Sequence, residues 1–265
     1  MMKKFNYSKF IYLPYIILAL VFIYGPIASL VVFSFNSGNS AVVWREFSFV
    51  WYEKLFTDSN LMDAITNSII IAVVATIISI IIGFFASLSL DKMSKKRKKM
   101  ILQINNIPIV SPEIIIAISL FLLFGSIGVT KGLTTVILAH ISFCTPYVIV
   151  TLLPRLERLD PNLWEAAADL GATPSKIIRK IIFPQLIPAI ISAAAIAFTM
   201  SFDDFIISYF TRSGSGINTI STYVYTLKRF NGSINAFSTI IIVLLAVGIT
   251  INQIIHIKKL QKEKI

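Results

Sequence analysis

The sequence predicts an all-α, polytopic membrane protein with six transmembrane helices and both termini cytoplasmic. Three observations carry that expectation. Charged residues make up 14% of the 265 residues, apolar residues 56%, and mean hydropathy is +0.80. A soluble domain carries about 25% charged residues, and roughly half that leaves too little polar surface to cover a globule. Six stretches each offer the roughly 20 mostly apolar residues that a helix needs to cross the hydrocarbon core. Lys and Arg, finally, concentrate on alternate connections. The same composition excludes an ordinary soluble enzyme, a disordered chain and a disulfide scaffold, since Cys144 is the single cysteine.

The spans follow in order, as one transmembrane domain over residues 1–265. The first covers about 11–35 and contains Pro14 and Pro26. It is too long for a signal peptide and lacks a small-residue cleavage site. The second covers about 65–90, free of charge between Asp63 and Asp91. The third covers about 101–126 and is interrupted by Pro108, Pro112 and Glu113. The fourth covers about 133–154, the fifth about 185–210 with Asp203 and Asp204 inside it, and the sixth about 234–257. Proline is tolerated in such helices because neighbouring groups satisfy the freed backbone.

Orientation comes from Lys and Arg. One side carries Lys3, Lys4, Lys9, Lys92, Lys95–Lys99 (Arg97 included), Arg155, Arg158, Lys176, Arg179, Lys180, Lys258, Lys259, Lys262 and Lys264. The other carries only Arg45, Lys54, Lys131, Arg212, Lys228 and Arg229. The net charge of +11 therefore reports membrane orientation and not a nucleic-acid partner. On the outer side, 36–63 is rich in aromatics (Trp44, Phe47, Phe49, Trp51, Tyr52, Phe56). That composition suits an interfacial belt in lipid or a docking surface for an external partner. The outer segment 213–233 is expected to form a short helix.

The segment 156–184 is the least membrane-like internal part of the inner side. Asp160-Pro161 fits an N-cap followed by proline at the first helical position. Leu163, Ala166, Ala167 and Leu170 then form one apolar stripe, and Gly171 ends the helix. Thr173-Pro174 starts a second helix, which Pro184 closes. The small-residue face suits a groove on another protein; the alternative is a helix resting on lipid, though it lacks the usual basic face.

Glu165-Ala166-Ala167, three residues, Gly171, nine residues, Ile181, one residue and Phe183-Pro184 together resemble the EAA motif of ABC importer permeases. Phe183 stands where that motif has Leu. The resemblance implies a coupling helix seated in a cleft of a cytoplasmic ATPase, with Glu165 pairing to a basic residue, Ala166 and Ala167 permitting close approach, and Gly171 making the turn. It extends over nearly the whole chain to the permeases of spermidine/putrescine importers. The residues that carry it are Phe35-Asn36-Ser37, Trp51-Tyr52, Ser111-Pro112-Glu113, His140 to Cys144, Arg155-Leu156 and Ser201-Phe202-Asp203-Asp204. Glu113 stands where Asp is expected. What the resemblance implies is a type I importer fold in a bacterial inner membrane. It also implies a heterodimer with a second permease subunit, two cytoplasmic ATPase subunits and an external polyamine-binding protein. ATP and Mg would be bound by the ATPase, and this chain needs no cofactor.

The residues themselves offer no catalytic constellation. There is no G-x-x-x-x-G-K-[ST] phosphate loop, and two histidines with one cysteine are too few for a structural zinc site. Ionisable residues within spans are functional candidates. Ser201, Asp204 and Ser208 fall on one stripe of a continuous helix, and Thr199 and Asp203 on another. At least one of Asp203 and Asp204 is expected to line a cation path, aided by the faces of Phe202, Phe205 and Tyr209; the alternative is an Asp that caps a broken helix. Glu113 serves equally as an N-terminal acid of a helix begun at Ser111-Pro112 or as a cation contact. His140 and Cys144 are expected to pack between helices, as is Tyr147. Remaining alternatives are an ABC permease for another solute such as iron, an amino acid, a sugar or an anion, a standalone cation transporter, and a membrane-embedded enzyme.

Overall fold

A backbone inside lipid must satisfy its own polar groups, so helices are the solution open to a single chain of this kind. The computed structural model describes residues 7–212, 214, 216–227 and 230–262. Among them the regular structure is helical, apart from one isolated antiparallel bridge between Asn36 and Phe47. Lys3, Lys4, Lys228, Arg229 and Lys264, named above, lie outside the described residues. The helices are α1 (Tyr7–Phe33), α2 (Val50–Thr57), α3 (Ser59–Asp91), α4 (Lys95–Val110), α5 (Glu113–Ser126), α6 (Leu133–Leu156), α7 (Leu163–Asp169), α8 (Pro174–Ile177), α9 (Phe183–Asp203), α10 (Ile206–Thr211), α11 (Ile220–Thr226) and α12 (Gly232–Lys262). A π-helical turn, Ile178–Ile182, joins α8 to α9.

The expected spans are present, but two of them are broken. Among the described residues five helical runs are long and apolar enough to cross a membrane; counting the bent pair α4–α5 as one span makes six. That pair turns by 103° at Ser111-Pro112. Proline cannot donate to the preceding turn and pushes its predecessor into extended backbone, and Ser111 has ψ 144. Lys95–Lys99, expected in a loop, instead form the first turns of α4. The fifth span begins earlier than expected, at Pro174, and runs to Asp203. Pro184 does not close a helix: the wider π turn before it lets the chain continue helical through the proline. Past Asp203 the span stops, because Asp204 is extended (ψ 132), and α10 resumes at Ile206.

The chain divides into two compact units, Met1–Met62 with Thr226–Ile265, and Asp63–Tyr225. In the first, α2 packs on α12 and α1 on α12. Trp51 is buried, donates from Nε1 to Asn36 O (2.7 Å) and lies flat against Gly232, where any Cβ would collide with the indole. Asn36 organises the loop before α2: Nδ2 donates to Val43 O (2.9 Å), and Oδ1 accepts from Arg45 N (2.9 Å). Phe35, Phe47, Phe49 and Tyr52 form one ring cluster, centroids 5.2–5.8 Å apart. These aromatics therefore stabilise one another, while Phe47, Phe49 and Phe56 stay exposed.

In the second unit α6 is the central post. Its inward positions, Val136, Ala139, His140, Phe143, Cys144, Val148 and Leu152, are all buried. α9 meets it through Ala193, Ala197 and Ser201, spaced by four and buried, so the backbones approach closely. Cys144 Sγ donates to Ala197 O (3.6 Å), and Tyr147 packs edge-on to Phe143, as expected of core residues. α3 approaches α6 at Gly83, where an added Cβ would meet Val148 Cγ1 at 2.5 Å. The expected short helix of 213–233 is α11. Ile220 N donates to Ser68 Oγ (2.8 Å) and Asn67 Nδ2 to Asn218 O (3.2 Å), tying it to α3.

Gly83→Ala is therefore expected to cost about 1–3 kcal/mol by overpacking, read as a lower thermal midpoint of the purified protein. Adding Val148→Ala should restore part of the loss.

Candidate functional site

The break in the fifth span is built around one buried side chain. His140, on α6, is 0% exposed. Its Nδ1 lies 2.7 Å from Ser201 Oγ, in the last turn of α9, and its Nε2 lies 3.0 Å from Ser208 Oγ, in α10. Nε2 is also 3.3 Å from Asp204 Oδ2. An ionised carboxylate only accepts, which puts a proton on Nε2 and lets Nδ1 accept from the Ser201 hydroxyl. Asp204 also closes the start of α10: Ile207 N donates to Oδ1 (3.1 Å) and Ser208 N to Oδ2 (2.8 Å). Two otherwise orphaned backbone donors are thereby satisfied. At the far end of α10, Thr135 Oγ1 of α6 donates to Thr211 O (2.8 Å).

The expected stripe of Ser201, Asp204 and Ser208 thus exists, but on two helices and turned inward to His140. Asp204 is 5% exposed and takes the capping role, not that of a free carboxylate on a path. Asp203 is exposed, and its carbonyl accepts from Ser221 Oγ (3.3 Å). Glu113, half-buried, is the first residue of α5 and the acid of its first turn, as one of the two readings expected. Ser111 Oγ donates backwards to Ile107 O (2.7 Å), and no side chain caps α5. Because α5 packs along α10, Glu113 at the start of α5 stands near Asp204 at the start of α10. Both broken spans therefore bring their breaks to one place. Phe205, Tyr209 and Tyr225 cluster beside it, centroids 4.8–5.7 Å apart, but Tyr209 already faces the Arg212 guanidinium at 5.3 Å. Among the described residues no group of three or more His, Cys, Asp or Glu side chains is set to hold a metal.

The second candidate region is the connection between α6 and α8. Asp160-Pro161 is a turn and not the first helical turn: Asp160 Oδ1 accepts from Asn162 N (2.9 Å), and α7 starts at Leu163. The apolar stripe does not pack down as one face. Ala167 is buried, whereas Glu165, Ala166 and Leu170 point outward, Leu170 at 89% exposure. Gly171 (φ +75) closes α7 in a Schellman turn, with Gly171 N donating to Ala168 O (2.8 Å) and Ala172 N to Ala167 O (3.0 Å). Pro184 stands apart on α9, beyond the π turn. Thr173-Pro174 does start α8 as expected. Two contacts that no spacing rule pointed to fasten this region: Lys92 Nζ lies 3.5 Å from the centre of the Trp164 ring, and Lys98 Nζ 2.8 Å from Glu157 Oε1.

Residues 79–257 match the model of the family described as binding-protein-dependent transport system inner membrane component. The chain belongs to this family. It is a transporter permease subunit, not an enzyme, and a multi-pass inner-membrane protein. It is 35% identical over 257 residues to the spermidine/putrescine transport system permease protein PotC of Haemophilus influenzae, covering 96% of this chain and 98% of that one. It is 39% identical over 243 residues to the putrescine transport system permease protein PotI of Escherichia coli K12, covering 88% and 85%. Among solved structures, a bacterial ABC transporter involved in the import of the acidic polysaccharide alginate superposes with a TM-score of 0.72 over 95% of this permease and 99% of that chain. At 15% identity that likeness establishes the fold alone.

The two adjacent acids should separate cleanly. Asp204→Ala takes the acceptor from two buried backbone donors and removes one of the partners of His140, an expected loss of about 2–5 kcal/mol. Asp203→Ala should stay within about 0.5 kcal/mol. Thermal unfolding of the purified permease in detergent checks both.

Proposed function

We propose that this permease is one half of the membrane pore of an ATP-driven importer that carries polyamines, spermidine or putrescine, into the cytoplasm. The observation that carries the reading is the convergence of two broken spans, which sets Glu113 at the start of α5 near Asp204 at the start of α10. Two neighbouring carboxyl groups favour a proton or another positive charge between them. A cargo ammonium meets that requirement. Discontinuous helices whose ends converge are a recurrent way of building a transport site. Similarity over most of the chain to polyamine permeases names the cargo class, whereas an anionic cargo would meet repulsion here. Glu113 and the exposed Asp203 are the cargo-facing acids, and Asp204 acts from behind them. The site should be weak, since it must release as well as bind.

In this reading both termini are cytoplasmic, and the exposed face of α7, with Glu165, Ala166 and Leu170, enters a cleft of a cytoplasmic ATPase. Ala167 holds α7 to its own domain. Two ATPase subunits bind ATP and Mg; a second permease subunit completes the pore, and an external binding protein delivers the polyamine. One of the solved structures of similar fold is an alginate ABC transporter in complex with a ligand-bound periplasmic protein (TM-score 0.67), an assembly of the same kind. Movement of α7 reaches the spans through Trp164, which holds Lys92 just past the end of α3, while Lys98–Glu157 ties the start of α4 to the end of α6.

Uptake of labelled putrescine and spermidine into cells with and without this chain tests the cargo. Uptake should depend on the chain; equal uptake without it would refute the proposal. Glu113→Gln with Asp203→Asn should lower the maximal rate by about tenfold or more, the loss of one to two charged contacts, while assembly persists. Glu165→Lys should weaken ATPase association and uptake together.

A further inference from the structure

We propose that His140 is a positioning residue for transport: it clamps the two halves of the broken fifth span and so sets where the cargo-facing acids stand. The proposal rests on the cation path described above and adds to it the part that holds the path in shape.

The halves α9 and α10 are joined in sequence only by Asp204-Phe205. An unsupported break of this kind leaves the angle between them free and the ends of both helices short of partners. The imidazole fixes the angle, and the Asp204 carboxylate that it holds accepts from the first backbone donors of α10. Nδ1 engages the last turn of α9 through Ser201, and Nε2 engages α10 through Ser208 and Asp204. The ring is carried by α6, an uninterrupted helix whose start is tied to the end of α10 by Thr135. The groups in the clamp are between 0% and 5% exposed, so water cannot replace any partner.

A leucine would fill the same space but fix no angle. Serine and carboxylate partners, by contrast, accept the ring in one orientation. Asp204 opens α10, against which α5 and its first residue Glu113 are packed, and the residue before Asp204 is Asp203, so the clamp sets the ground on which both acids stand. His140 touches none of the exposed side chains itself. It therefore acts through Asp204 and not as a contact for cargo.

A structural role alone would lower ATP hydrolysis and uptake in proportion. A positioning role changes their ratio. In proteoliposomes holding the whole importer with its binding protein, His140→Leu is expected to raise the ATP consumed per putrescine imported by about fivefold. His140→Gln, which keeps a donor and an acceptor, should recover much of that. A proportional fall, or an unchanged ratio, overturns the proposal. Should His140→Leu fail to assemble, Ser201→Ala and Ser208→Ala each remove one arm of the clamp without emptying the core. Each should raise the ratio by about twofold, and an unchanged ratio overturns the proposal equally.

A second arm needs no cargo. In a Cys144→Ala background, Asp203→Cys should react with a cationic thiol reagent at a rate that shifts about threefold when His140→Leu is added. No shift contradicts the clamp. Absence of polyamine import by the wild-type complex would instead sink the cargo assignment and leave this labelling result to judge His140.

Discussion

Every other feature of the transport unit hangs on how one broken helix is kept satisfied in an interior without water. Interrupting α9 at Asp204 strands backbone donors at the start of α10. In lipid such groups cost several kcal/mol each if left unpaired. Asp204 turns back to accept from Ile207 and Ser208, and His140 then pairs the carboxylate from the other side. A buried charge with one partner removed is among the most destabilising defects known. The break is thus secured by a small closed network whose members depend on one another.

That network explains the division of labour among the acids. Three acids lie within or beside the spans, and chemistry alone does not rank them. Asp204 is engaged on both oxygens by the fold, Asp203 is exposed one residue earlier, and Glu113 reaches in from the second broken span. The Asp204 carboxyl is held still by Ile207, Ser208 and His140, so Glu113 on the adjacent α5 stands near a fixed acidic group. In the proposed reading, a weak, transient site for a positive group follows from such a pair more naturally than from a free carboxylate on a smooth helix.

Much of this was legible in the sequence, and the failures have physical causes. Uniform hydropathy over twenty residues reports a span, so the six stretches were found, with Pro112 flagged as an interruption. Periodicity assumes a continuous helix, which is why Ser201, Asp204 and Ser208 were expected on one stripe of a single helix and not on two helices closing on His140. Pro184 read as a stop because a π turn has no local signature. The exposed face of α7 was read as an apolar stripe because spacing cannot tell a buried Ala167 from an exposed Ala166 or Leu170. The pairing of Lys92 with Trp164 joins residues 72 positions apart, beyond the reach of any local rule.

At the other end of the unit the same economy holds. A seven-residue helix has little stability of its own. α7 is held by Ala167, by the Schellman turn at Gly171 and by Lys92 against Trp164, and so presents a preformed face. The account stands or falls on where the positive cargo goes. The most direct measurement is a structure of the assembled importer trapped with spermidine inside the pore. The account predicts an ammonium group against Glu113 or Asp203 with the His140–Asp204 contact intact; an ammonium group that replaces His140 on Asp204, or cargo remote from all three acids, would contradict it.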